Sequence, residues 1–131
     1  MMDGALVKNE IVALHNNFVD WYNGKMSKSV FDDKIKSHFD SNFKIVFPDG
    51  STHNKDVLST LIYADYNTSH NFGIKIKDVQ LQMLGDGYVI AAYKEYQYTG
   101  KKIELKLNTL SVLKTNETGI TWLHIHETKI Q

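Results

Sequence analysis

Apolar residues at Val7, Ile11, Leu14, Phe18 and Trp21 follow one another at alternating intervals of four and three, which lays them along one face of an amphipathic helix. Asp3 stands where a side-chain oxygen caps the first turn, and Asn23-Gly24 supplies the residues that leave a helix through the left-handed region. A second, shorter helix is predicted where Ser29 and Asp32 form a capping box and Phe31, Ile35, His38 and Phe39 make an apolar stripe. Lys44-Ile45-Val46-Phe47 reads as a short strand that stops at Pro48-Asp49-Gly50, because proline fixes φ and glycine tolerates positive φ. Asn54 caps a third helix through Tyr66, with Val57, Leu58, Leu61 and Ile62 facing inward.

Beyond Phe72 the pattern changes to long runs of β-forming residues. Gly85-Asp86-Gly87, Thr99-Gly100 and the stretch 116–119 punctuate them, predicting strands over 73–84, 88–99, 103–114 and 120–129 joined by hairpins. Strands of this length must twist, bend and carry bulges. Helices first and hairpins after predict an α+β domain spanning 1–131, its N-terminal helices packed on the concave face of a strongly curved antiparallel sheet.

Composition narrows the function classes. The chain has 131 residues, a formal charge of zero and no cysteine, which excludes disulfides, thiolate metal sites and a cysteine nucleophile. All basic residues are lysine, so the planar fork that grips phosphate is missing and nucleic acid is not an expected partner. No apolar run approaches a membrane span, and the first residues lack the pattern of a signal peptide; the expectation is a cytoplasmic protein with no membrane partner. No Gly-rich phosphate loop, Ser-His-Asp order or nucleophile elbow is present, and no cofactor is called for.

Two strands carry the candidate chemistry. Alternation places Val89, Ala91, Tyr93, Glu95 and Gln97 on one face. If that face is concave, desolvation raises the Glu95 pKa and makes it a general acid or base, with Tyr93 or a histidine as donor; otherwise Glu95 is a rim carboxylate paired with lysine. On the last strand, strict alternation puts Trp122, His124, His126 and Thr128 opposite Leu123, Ile125 and Glu127. Two imidazoles on one side of a strand suit a metal or a proton shuttle, but no further ligand spacing accompanies them, so no metal is assigned. The expectation is that Trp122, His124 and His126 face a subunit interface. An apolar pocket is expected between Trp21, Phe39, Phe47, Tyr63, Tyr93 and Glu95, with Phe18 in the core.

The order of elements, the turn Phe47-Pro48-Asp49-Gly50 and the closing Gly119-Ile120-Thr121-Trp122-Leu123-His124-Ile125-His126-Glu127-Thr128 resemble the nuclear transport factor 2-like superfamily. The last strand looks like that of its SnoaL-like and kinase association-domain members. The resemblance implies a cone-shaped fold, and a superfamily that includes isomerases, hydrolases, dehydratases, cyclases and assembly domains. Where ketosteroid isomerases carry their aspartate base, before the turn proline, this chain has Phe47, which moves no proton. The arginine anion site of kinase association domains has no counterpart. Three readings follow. The first is a homodimer, paired through the convex sheet face, that binds a small, mainly apolar ligand in the cone. The second is a cofactor-independent acid–base enzyme using Glu95, and the third an oligomerisation module without pocket chemistry.

Overall fold

The computed structural model describes residues 4–131. Helix α1 (Gly4–Tyr22) buries Val7, Ile11, Leu14 and Trp21 as the stripe requires, and His15 with them. The cap expected from Asp3 lies outside the described residues. At the other end Gly24 adopts φ 69°, and a Cβ there would stand 2.3 Å from Asn67 Oδ1. Glycine is thus required twice, by conformation and by space. Asn23 then accepts from the Phe72 N–H at 3.0 Å and donates to the Phe72 carbonyl at 2.8 Å, fastening the end of α1 to the start of the sheet's edge strand.

The second helix is briefer than its stripe suggests. Helix α2 (Phe31–Lys34) is one turn between 3-10 turns at Lys28–Val30 and Lys36–His38. Ile35 leaves helical geometry at φ −127° while keeping its side chain fully buried. The capping hydroxyl is Ser27, which accepts from Ser29 N–H, rather than Ser29 itself. Strand β1 (Phe39–Val46) begins five residues earlier than expected, because Phe39 pairs with Trp122 in the sheet. The proline turn folds it back into a short β2 (Thr52–Asn54), which the pattern did not predict. Helix α3 (Lys55–Ala64) is capped by Asn54, whose Oδ1 accepts from Val57 N–H at 2.9 Å. It buries Leu58 and Ile62 but leaves Val57 and Leu61 exposed, a correction to the inward face expected for all four.

The long hairpin strands form as expected: β3 (Phe72–Met83), β4 (Tyr88–Thr99), β5 (Lys102–Asn116) and β6 (Gly119–Lys129). With β1 and β2 they make one sheet in the order β2-β1-β6-β5-β4-β3. Every pairing is antiparallel except β1 with β6, which is parallel and makes the sheet mixed. The register shifts in three of the long-strand pairings, near Asp78 on β3, Glu104 on β5 and Leu123 on β6. Each extra residue bends its strand and adds twist, so the sheet curls around α1 and α3 without closing. The core fills that curl, where Ile11, Leu14, Val89, Leu113, Trp122 and Ile125 are all buried. The architecture is α+β, helices on the concave face of a cone. No described helix is long and apolar enough to cross a membrane.

Candidate functional site

Register across the central strands aligns concave-face residues in rows. Ala91, Ser111 and Ile125 form one row and Tyr93, Thr109 and Glu127 the next, with Glu95 one step further along β4. Because β-strands alternate, all these side chains project toward α1 and α3. Between them and the helices lies a cavity of about 350 Å³. Its apolar wall includes Phe18 and Tyr22 from α1, Phe39 and Ile45 from β1, Phe47 at the turn, and Ile125. Its polar wall is His15, Glu95, Gln97, Glu127 and Asp65. Leu61 and Asp65, both exposed, mark the mouth.

Of the six expected lining residues, Phe39, Phe47, Tyr93 and Glu95 lie on this wall. Trp21 and Tyr63 do not. Trp21 is completely buried against Phe31, Tyr63 and Tyr66 and donates its indole N–H to the Ile62 carbonyl at 2.8 Å, so it plugs the seam between α1 and α3. Tyr63 is 44% exposed and faces outward under the Lys28 ammonium. Phe18, expected in the core, lines the cavity instead.

The deepest polar feature is an ion pair that the sequence reading missed. His15 is enclosed by Phe18, Tyr93 and Trp122, all edge-on to it. Its Nδ1 donates to the Ile11 carbonyl at 2.7 Å, and its Nε2 lies 3.1 Å from Glu95 Oε1. A carbonyl only accepts, so Nδ1 carries a proton; a second proton must then sit between Nε2 and the carboxylate. The other Glu95 oxygen accepts from Gln97 Nε2 at 2.8 Å. Burial by itself lowers the His15 pKa, but the attraction and hydrogen bond of Glu95 outweigh it and raise the value. Burial likewise pushes the Glu95 carboxyl up, yet His15 and Gln97 together hold it below the usual carboxylate value. The expectation of a raised Glu95 pKa is therefore corrected: its neighbours keep it ionised.

The raised carboxyl is Glu127. Burial first, and the charge of Glu95 second, push it to about 7, against a smaller opposing pull from His15. Its carboxyl takes no hydrogen bond from the described residues. Tyr93 places its hydroxyl 3.4 Å from Ser111 Oγ; burial and then Glu95 hold its pKa well above the ordinary phenol value, so it remains a donor.

On β6 strict alternation fails at Leu123. The extra residue there moves Leu113 opposite Trp122 while Val112 faces His124, which turns Trp122 inward, away from the histidines. Trp122 is fully buried and donates to Glu10 Oε2 at 2.8 Å, an oxygen that also lies 2.7 Å from His38 Nδ1. Its expected place on an interface is thereby corrected. His124 and His126 lie on the outer face with ring centroids 6.4 Å apart, and burial, then His126, lowers the His124 pKa. Among the described residues no cluster of three metal-ligating side chains forms.

Two signals for the missed residues were present. His15 falls four after Ile11 and three before Phe18, on the apolar stripe itself, and Glu127 alternates with Ile125 on the inward face of β6.

No family model matches the sequence, and no curated protein matches it. Solved structures do. A nuclear transport factor 2-like protein of unknown function from Pseudomonas aeruginosa is 24% identical, with 96% of this chain and 99% of that chain covered at a TM-score of 0.88. A candidate dehydratase of the same fold family from Streptomyces avermitilis is 11% identical, with 97% and 95% covered and a TM-score of 0.75. A candidate calcium/calmodulin-dependent protein kinase II association domain from Thiobacillus denitrificans is 13% identical, with 90% and 93% covered and a TM-score of 0.65. These likenesses establish a nuclear transport factor 2-like fold and, spanning such different descriptions, do not choose an activity.

Proposed function

We propose that this nuclear transport factor 2-like cone binds a small, mainly apolar molecule between its sheet and helices. The observation that carries the reading is the aromatic-walled cavity of about 350 Å³, which reaches from the exposed Leu61 and Asp65 to the buried Glu95. Concave apolar space with a few convergent polar groups is the usual form of a ligand site. The test is a titration with ethylbenzene followed by amide NMR shifts. Shifts concentrated on Phe39, Phe47 and Ile125 are expected; no saturable shift on the cavity wall would refute it.

A second reading, acid–base catalysis without a cofactor, is favoured by one observation: an ionisable carboxyl with a pKa near the working pH shares the cavity with a buried ion pair. In it the proton carrier is Glu127 rather than Glu95, and Tyr93 is the neutral donor. Carboxyl-carbon NMR checks the premise, since a Glu127 pKa at the ordinary value of 4.5 would remove it. For assembly we keep the outer sheet face, where Leu110 is 50% exposed beside His126, as the proposed homodimer surface. Sedimentation showing only monomer at high concentration would end that proposal.

A further inference from the structure

The charges on the cavity wall do not balance. His15 and Glu95 neutralise one another at 3.1 Å. Beyond His15, already engaged by Glu95, Glu127 and the exposed Asp65 have no cation on the wall: among the described residues no lysine lines the cavity and the chain contains no arginine. Glu127 also lacks any hydrogen-bond donor among the described residues. A carboxylate facing an apolar space without a donor is costly, and it is relieved by a ligand that brings one.

The rings on the same cavity wall point to the same chemistry. Tyr22 and Phe47 line the cavity with Glu127, and an aromatic face attracts a cation through its quadrupole, more strongly when the cation is desolvated. An anionic ligand would meet uncompensated carboxylates instead. From this charge imbalance and its aromatic surround, we infer that the cavity's ligand is an organic ammonium ion, an apolar body carrying a primary amine that donates to Glu127. The inference rests on the ligand-binding reading and names the class of molecule that reading leaves open.

Three probes of matched shape separate the two. Phenethylamine, phenethyl alcohol and ethylbenzene share one ring and differ at the terminal group. Calorimetry or NMR titration at a pH just above 7 is expected to show the amine binding about ten- to a hundredfold more tightly than the alcohol, the range a charge-assisted hydrogen bond contributes. Glu127→Gln should remove most of that preference, and ethylbenzene, which has no donor to offer Glu127, should still bind the variant and so show that it is folded. An amine no tighter than the alcohol overturns the ammonium inference and leaves apolar binding standing. An amine preference left largely intact by Glu127→Gln also overturns the assignment. Failure of all three probes takes down the binding reading and this inference together.

Discussion

At the scale of single residues, three titrating side chains share one small space, and their signs differ. Glu127 has a folded pKa of about 7 against an ordinary 4.5, so it binds its proton more tightly when folded. Its contribution is fully present below pH 4.5 and is lost as the pH rises through about 7. Glu127→Gln should match the parent protein in acid and exceed it by about 3 kcal/mol well above pH 7; urea unfolding across pH would show this, and parallel profiles would contradict it. Glu95 acts oppositely. Its depressed pKa contributes stability above 4.5 that disappears as the pH falls through the lower folded value. His15, raised above 6.5, contributes below that value and loses its contribution as the pH rises through the higher folded one. The three windows overlap in mildly acidic solution, where maximum stability is expected.

Removing one partner of the buried pair is not equivalent to removing both. His15→Leu leaves the Glu95 carboxylate enclosed without its cation and should cost about 3–5 kcal/mol, with the Glu95 pKa rising sharply. The double replacement with Glu95→Leu should recover much of that loss. A double-mutant cycle by denaturation measures the coupling, and additive losses would argue against a charged pair.

At the scale of elements, periodicity carried most of the fold, and its failures have identifiable causes. The stripe on α1 and the hairpin punctuation of β3 to β6 were legible because each rests on local repetition. The second helix misled because Phe39 satisfies a helical stripe and a strand equally well, and only its pairing with Trp122, far along the chain, decides between them. The last strand misled because one bulged residue, Leu123, reverses the inward face for everything before it. Hence His124 and His126 were placed by alternation while Trp122 was not. In the cavity, Tyr93 and Glu95 were readable from the same alternation, but the pairing of Glu95 with His15 depends on how α1 seats on the sheet, which no local pattern records.

Turn glycines test the element scale directly. Gly24 and Gly50 both have positive φ, at 69° and 87°. A Cβ at Gly24 collides with Asn67, while one at Gly50 meets nothing within 4 Å. Gly50→Ala should therefore cost only the backbone strain, roughly 1 kcal/mol, and Gly24→Ala clearly more. Equal thermal-melt shifts would show that the Asn67 approach is unimportant. Asn54→Ala, which removes the cap of α3, should cost about 1 kcal/mol.

For the molecule as a whole, the sheet remains open at β2 and β3, and the longer edge is blunted by Lys75, Lys77 and the irregularity at Asp78. The cone's interior is thus reached past Leu61 and Asp65 rather than through the sheet. A bound amine or hydrocarbon should raise the melting temperature with concentration, because a ligand that prefers the folded state stabilises it by mass action.

The lysine-free cavity wall also has a practical consequence. Reagents that modify amines can attach the protein to a surface or a dye while leaving every lining side chain chemically unaltered. Since the chain has no cysteine, Leu61→Cys would install the sole thiol at the rim, and a fluorophore placed there would turn occupancy of the cone into an optical signal.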